Sequence, residues 1–173
     1  MCQTNSVSLA GNCGRDAMNS VVRHARFPED THAVLEIWRE FVSSPSVSLD
    51  YQGYEAEFAD IPGKYAPPEG RLLLAERDGG IAGCVSLRRI SGTLCEMKRL
   101  YVRPSARQAG LGRQMVECLI AEAKEAGYQE MRLDVLEEFK QARKLYAELG
   151  FIPADPVSFN PLPGTEFLGL TLR

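Results

Sequence analysis

Two rhythms of apolar and polar positions run along this chain. Helical spacing appears first after Pro28, Glu29 and Asp30, where Val34, Leu35, Trp38, Phe41 and Val42 form one stripe. A second helix is predicted over Asp50–Asp60, ended by Pro62-Gly63 and followed by a proline-rich loop to Pro68. Apolar residues at 111, 115, 116, 119, 120 and 123 give Leu111–Ala126 a wide helical face, with Gly127 as its stop. Phe139, Ala142, Leu145, Tyr146 and Leu149 lie on one face of a further helix that ends at Gly150. Between these, β-rich runs predict strands over Val21–Phe27, Arg71–Arg77, Ile81–Arg88, Thr93–Val102 and Glu130–Leu136, and the tail from Phe151 supplies one or two last strands, most clearly Phe167–Leu172. Asp78-Gly79-Gly80 reads as a tight hairpin between two of them. The order β-α-α-β-β-β-α-β-α-β predicts a mixed α/β fold in a single domain over residues 19–173. The first 18 residues, rich in Ser, Asn, Gly and Cys, carry no periodicity and read as a loosely structured N-terminal extension.

Composition narrows the classes of function. The 173 residues are 45% hydrophobic and 25% charged, enough for one buried core of ordinary size. Twenty basic and 23 acidic side chains leave a net charge of −3, which argues against generic binding of nucleic acid or an anionic membrane. No apolar run approaches the roughly 18 residues that span a bilayer, and the N-terminus has neither the basic start nor the apolar segment of a secretory signal. Five cysteines (Cys2, Cys13, Cys84, Cys95 and Cys118) are odd in number and lack metal-finger spacing, so the chain reads as reduced and cytoplasmic, with no metal site.

Chemistry concentrates in one stretch. Strand Thr93–Val102 stops at Pro104, and Gly110 and Gly112 then lead directly into a helix. Glycine lets a ligand approach the backbone closely, and the first amides of a helix have no intrahelical acceptor, so such a junction holds phosphate. From Met97 to Val116 there are five basic residues (Lys98, Arg99, Arg103, Arg107 and Arg113) and no acidic one. Neither a Walker loop nor the dinucleotide fingerprint GxGxxG is present.

Arg107-x-x-Gly110-x-Gly112, the preceding Met97-Lys98-Arg99-Leu100-Tyr101-Val102, and Tyr146-x-x-x-Gly150-Phe151 occur in the order and spacing of a known family. On these residues the chain resembles the GCN5-related N-acetyltransferases, and Phe159-Asn160-Pro161-Leu162-Pro163-Gly164 resembles the end of a small bacterial-type subgroup. One departure is Phe139, where many members carry Asn or Met facing the cofactor. The resemblance implies a strongly bent mixed sheet whose strands 93–102 and 130–136 splay apart. It implies acetyl-coenzyme A as acetyl donor, its phosphates on Arg107, Gln108, Ala109, Gly110, Leu111, Gly112 and Arg113. The pantetheine arm would pair with the backbone of Leu100, Tyr101 and Val102 as an added strand does. The loop Ser43–Tyr54 and the tail around Phe159-Asn160 would line the acceptor.

Acetyl transfer to an amine sets two tasks. A lysine-like amine of pKa ~10.4 is neutral in about one molecule in 2,500 at pH 7, an offset of about 4.6 kcal/mol. Glu96 is the candidate base, read equally well as a strand carboxylate paired with Lys98 or an arginine; Glu55, Glu57 and Asp60 are rivals. The departing thiolate needs a donor, and the resemblance gives that role to Tyr146. Full transfer from a phenol to such a thiolate is uphill by about 2 kcal/mol, so a hydrogen bond in the transition state or a lowered tyrosine pKa is required. Cys95 and Cys118 have no histidine near them in sequence, which favours direct transfer in a ternary complex. The expected partner is a small-molecule amine, with a homodimer left open. The alternatives are a protein lysine or N-terminal acetyltransferase, or an acyl-coenzyme A-binding module without turnover.

Overall fold

In the computed structural model, which describes residues 13–16 and 20–173, eight strands form one mixed sheet in the order β1-β2-β3-β4-β5-β6-β8-β7. They are β1 Cys13–Asp16, β2 Ser20–His24, β3 Arg71–Arg77, β4 Gly80–Ser91, β5 Leu94–Val102, β6 Glu130–Val135, β7 Ile152–Pro153 and β8 Glu166–Thr171. The helices are α1 Thr31–Ser43, α2 Tyr54–Ala59, α3 Leu111–Glu125 and α4 Lys140–Glu148. The tail supplies two strands, β7 being a two-residue edge, and one strand exceeds the predicted set: β1 draws four residues of the expected extension into the sheet against β2. The rest of the expected extension lies outside the described residues.

Side-chain alternation assigns the two faces of the sheet. Leu72, Leu74 and Cys84 join Val34, Ile37 and Trp38 of α1 in one core cluster. Leu73, Ala75 and Val85 join Met115, Val116 and Leu119 of α3 in the other. The predicted hairpin forms, Asp78 (φ 51°) and Gly79 (φ 80°) both taking the left-handed conformation that a two-residue turn of this hand needs. The helix predicted over 50–60 is broken by Gly53 (φ 61°) into one short turn at 50–52 and α2. α1 starts at Thr31, after Pro28, because the Asp30 carboxylate is engaged by Arg23 at 2.7 Å and by the Arg26 amide at 2.6 Å.

Two irregularities on β5 shape the opening beside it. β5 and β6 run parallel through only three residue pairs, Leu94↔Glu130 to Glu96↔Arg132. Beyond them β5 pairs only with β4 and β6 only with β8, so the strands splay as expected. On the β4 side, Ser86↔Lys98 is followed by Cys84↔Tyr101, so Arg99 and Leu100 face one residue and form a bulge, with Arg99 at φ 57°.

A close approach near this core offers a test. A Cβ on Gly70 would stand 2.4 Å from the Tyr65 carbonyl carbon, whereas one on Gly80 would meet nothing within 4 Å. Gly70→Ala is expected to destabilise the protein by about 2–4 kcal/mol and Gly80→Ala by less than about 1 kcal/mol, as read by denaturant unfolding.

Candidate active site

Where β5 and β6 part, the sheet opens into a cavity of about 60 Å³. Lys98, Arg99 and Leu100 line it from β5; Leu133, Asp134 and Val135 from β6; Phe139, Ala142 and Tyr146 from the α4 side. Leu49, Tyr51 and Gln52, in the loop after α1, and Asn160 in the tail complete it. Both segments expected to flank the acceptor therefore reach the cavity. The loop is tied to both neighbours: Ser46 donates to Glu138, in the turn before α4, from its amide (3.0 Å) and hydroxyl (2.8 Å), and the Tyr51 ring meets Phe159 of the tail edge-on at 6.4 Å.

The glycine junction sits at the N-terminus of α3. The first helical bond runs from the Gln114 amide to the Gly110 carbonyl, so the amides of Leu111, Gly112 and Arg113 have no helical acceptor. No side chain caps this end and no acidic residue lies in its first turn. Gly110 has φ 75° with open space where a Cβ would stand, so glycine serves backbone conformation here. Gln108 (φ 66°) and Ala109 are exposed beside it, while buried Leu111 anchors the helix start in the core. Such a nest of amides at a helix terminus fits phosphate.

The basic run is largely neutralised from elsewhere in the fold. Arg103 pairs with Glu40 at 2.8 Å, Arg113 with Glu148, and Arg99 with Glu57. Arg107 stays exposed, donating from Nε to the Val102 carbonyl at 2.9 Å, its guanidinium 5.7 Å from the Tyr101 ring centre. The Lys98 side chain has no hydrogen bond or ion pair among the described residues. Burial, opposed by the charges of Glu96 and Asp134, holds its ammonium below the usual lysine range.

Tyr146 lies on the inner face of α4, 5% exposed, its ring 5.5 Å from that of Phe151. Among the described residues its hydroxyl has no hydrogen-bond partner. Burial first, and then the charge of Asp134, pushes the phenol well above its usual range. Of the two routes open to Tyr146, donation of a hydrogen bond therefore fits, and a lowered pKa does not.

Glu96 is not brought to the cavity. Its buried carboxylate is clamped by Arg88, opposite it on β4, at 2.6 Å, and accepts from the Ser158 hydroxyl at 2.8 Å. The rivals are also elsewhere: Glu55 and Asp60 are exposed on or beside α2, and Glu57 is engaged by Arg99 and Lys64. The carboxylate that does line the cavity is Asp134, which accepts from Asn160 Nδ2 at 2.6 Å. Its only advance signal was its place on β6, two residues beyond Arg132. Arg71, Arg88 and Arg89 each face a glutamate. Burial pushes the thiols of Cys84 and Cys95 up to about 12, so neither presents a thiolate.

The profile of the Acetyltransferase (GNAT) family matches residues 31–151. An uncharacterized N-acetyltransferase of Schizosaccharomyces pombe is 33% identical over 156 residues, covering 89% of this chain and 96% of its own. Among solved structures, a GNAT-family acetyltransferase of Staphylococcus aureus superposes with a TM-score of 0.74 at 19% identity, over 89% of this chain and 99% of its own. An acetyltransferase of Salmonella typhimurium, solved with its cofactor acetyl-CoA, superposes with a TM-score of 0.64 at 24% identity, over 89% of this chain and 94% of its own.

The Arg99–Glu57 pair makes a prediction of its own. Burial raises the Glu57 carboxyl, but Arg99 and Lys64 outweigh it and leave the group below its ordinary 4.5. A carboxyl lowered on folding adds stability above its unfolded pKa and loses it as pH falls through the folded value. Glu57→Gln strands the buried Arg99 charge, so a loss of about 3–5 kcal/mol is expected at pH 7. The variant should also lose less stability between pH 6 and 3 than the parent, as measured by urea unfolding across that range.

Proposed function

Because the chain belongs to the GNAT acetyltransferase family, we propose that it moves an acetyl group from acetyl-coenzyme A to the primary amine of a small molecule, by direct transfer in a ternary complex. One observation carries this reading: Tyr146, whose hydroxyl has no partner among the described residues, lines the opening between β5 and β6, and a Cβ on Gly112 of the α3 junction would stand 3.7 Å from Val102 at the end of β5 and 3.8 Å from Leu145 of α4. The amides of 111–113, which have no helical acceptor, and the Arg107 guanidinium suit the phosphates, and the β5 edge at Leu100, Tyr101 and Val102 suits an extended arm with amides of its own. When bound, acetyl-coenzyme A supplies the acetyl thioester.

The chain's own residues then divide the work. Asp134 accepts the proton of the acceptor's ammonium, which frees the nitrogen lone pair. As the new N–C bond forms and the C–S bond breaks, the Tyr146 hydroxyl donates a hydrogen bond to the sulfur that takes the electron pair, and the nitrogen's surplus proton passes to that thiolate, giving the amide and the free thiol. Its raised pKa keeps the phenol proton in place until that moment. Glu96, with both oxygens engaged, positions β5 against Arg88 and the tail against β5 through Ser158. The protonated thiols favour direct transfer over a cysteine-bound acetyl.

A charge reversal tests the cradle: Arg107→Glu combined with Gly110→Ala should weaken acetyl-coenzyme A at least tenfold while costing only about 1 kcal/mol of stability, the strain of alanine at a positive φ. Calorimetry with unaltered affinity would remove α3 from the reading. Tyr146→Phe deletes a hydroxyl that no described residue bonds, so stability should hold while kcat falls about 10²–10⁴-fold at every pH. Asp134→Asn should instead recover activity as rising pH deprotonates the amine in solution, and Glu96→Gln should keep the parental profile. A shifted profile in Glu96→Gln alone would return the base to Glu96.

A further inference from the structure

The cavity holds one cation that the acetyl donor does not need. Lys98 is, among the described lysines and arginines, the one that is neither exposed nor bonded to any hydrogen-bond acceptor or carboxylate, and it lines the cavity. Other cations shielded from solvent face carboxylates, such as Arg71 on Glu122, Arg88 on Glu96 and Arg99 on Glu57. A shielded ammonium without a partner is costly, and a fold that pairs its other shielded cations has left this one open.

An anion stands across the gap from Lys98. The parallel ladder ends at Glu96↔Arg132, and two residues further along each strand are Lys98 on β5 and Asp134 on β6. They carry opposite charges on the two lips of the opening, yet they form no ion pair with each other. Beside them, Arg99 keeps its buried Nη1 and Gln52 its buried Oε1 without partners. The site therefore presents an unpaired cation, an anion held by Asn160, and a gap between them.

We propose that the acceptor is an amino-carboxylate, an α-amino acid or close analogue, whose carboxylate is held by Lys98 while its ammonium faces Asp134. Lys98 is thus a specificity-determining residue. Amine and carboxylate on a single carbon satisfy both lips of the gap at once. A polyamine or an uncharged amine leaves Lys98 shielded and unpaired, and a polyamine adds repulsion. The inference rests on the proposed acetyl transfer and narrows its acceptor.

The test uses the full chain, acetyl-coenzyme A, and the twenty α-amino acids, each beside its α-carboxamide and its decarboxylated amine, with thiol release as the readout. At least one amino acid should be acetylated with kcat/KM about tenfold or more above both of its carboxylate-free partners. Lys98→Met should raise the KM for that acid about 10–100-fold, the effect of losing a charged hydrogen bond. It should erase the preference over the amide and leave the KM for acetyl-coenzyme A within about twofold. Lys98→Arg should restore part of the preference, and Lys98→Gln replaces the methionine variant if that one does not fold. Amides or amines acetylated as well as the acids would overturn the inference and leave the transferase reading standing. Acetyl-coenzyme A bound in calorimetry with no amino acid acetylated would also overturn it. Absence of acetyl-coenzyme A binding would overturn both.

Discussion

Two parallel strands that part after three residue pairs set the terms for the rest of this molecule. Backbone N–H and C=O groups must find partners, and a central strand normally finds them on both sides. β5 has them on both sides only as far as Glu96; beyond it, the side that faced β6 opens. An edge in the middle of a sheet is stable only if something shields it. Here α4, the loop after α1 and the tail before β8 surround the opening, and a ligand arm with amides of its own can complete the ladder.

The opening is held in shape from the side through Arg99. The bulge at Arg99 and Leu100 turns the guanidinium away from the ladder and into a ring of aromatics, 4.9 Å from Trp38, 5.6 Å from Phe58 and 5.9 Å from Phe41. Glu57 of α2 closes the other side, and Tyr65 donates to the same carboxylate at 3.3 Å. One residue thereby locks the bulge to α1 and α2 at once. Both helices are fastened to the strand that carries Lys98.

How much of this was legible in the sequence depends on how far apart the interacting residues are. Local signals read well: the hairpin at Asp78-Gly79, the start of α3 at Leu111 and the apolar stripe of α4 that carries Tyr146 all stand within a few residues of their cause. Pairings set by register did not. Glu96 was legible as a strand carboxylate, but its partner Arg88 emerges only once β4 and β5 are aligned. Asp134 and Lys98 gain meaning only when the ladder between their strands is known to stop two residues earlier. The basic run misled for the same reason: the acids that neutralise Arg99, Arg103 and Arg113 come from α2, α1 and α4.

That neutralisation leaves a site whose charges are sorted by burial. Exposed Arg107 and the free amides of α3 stand where a polyanion arrives from water, and there a screened, shallow attraction suffices. Deeper in, the phenol of Tyr146 is pushed toward its protonated, neutral form, and Arg99 is paired with Glu57. Lys98 and Asp134 are then the charges that line the cavity without an ion pair among the described residues, and a charge in a low-dielectric gap is felt over a longer range than one at the surface. In the proposed reaction, an acceptor that neutralises both leaves neither stranded, and the transfer of its proton to Asp134 would bring it uncharged to the thioester whose sulfur the Tyr146 hydroxyl serves.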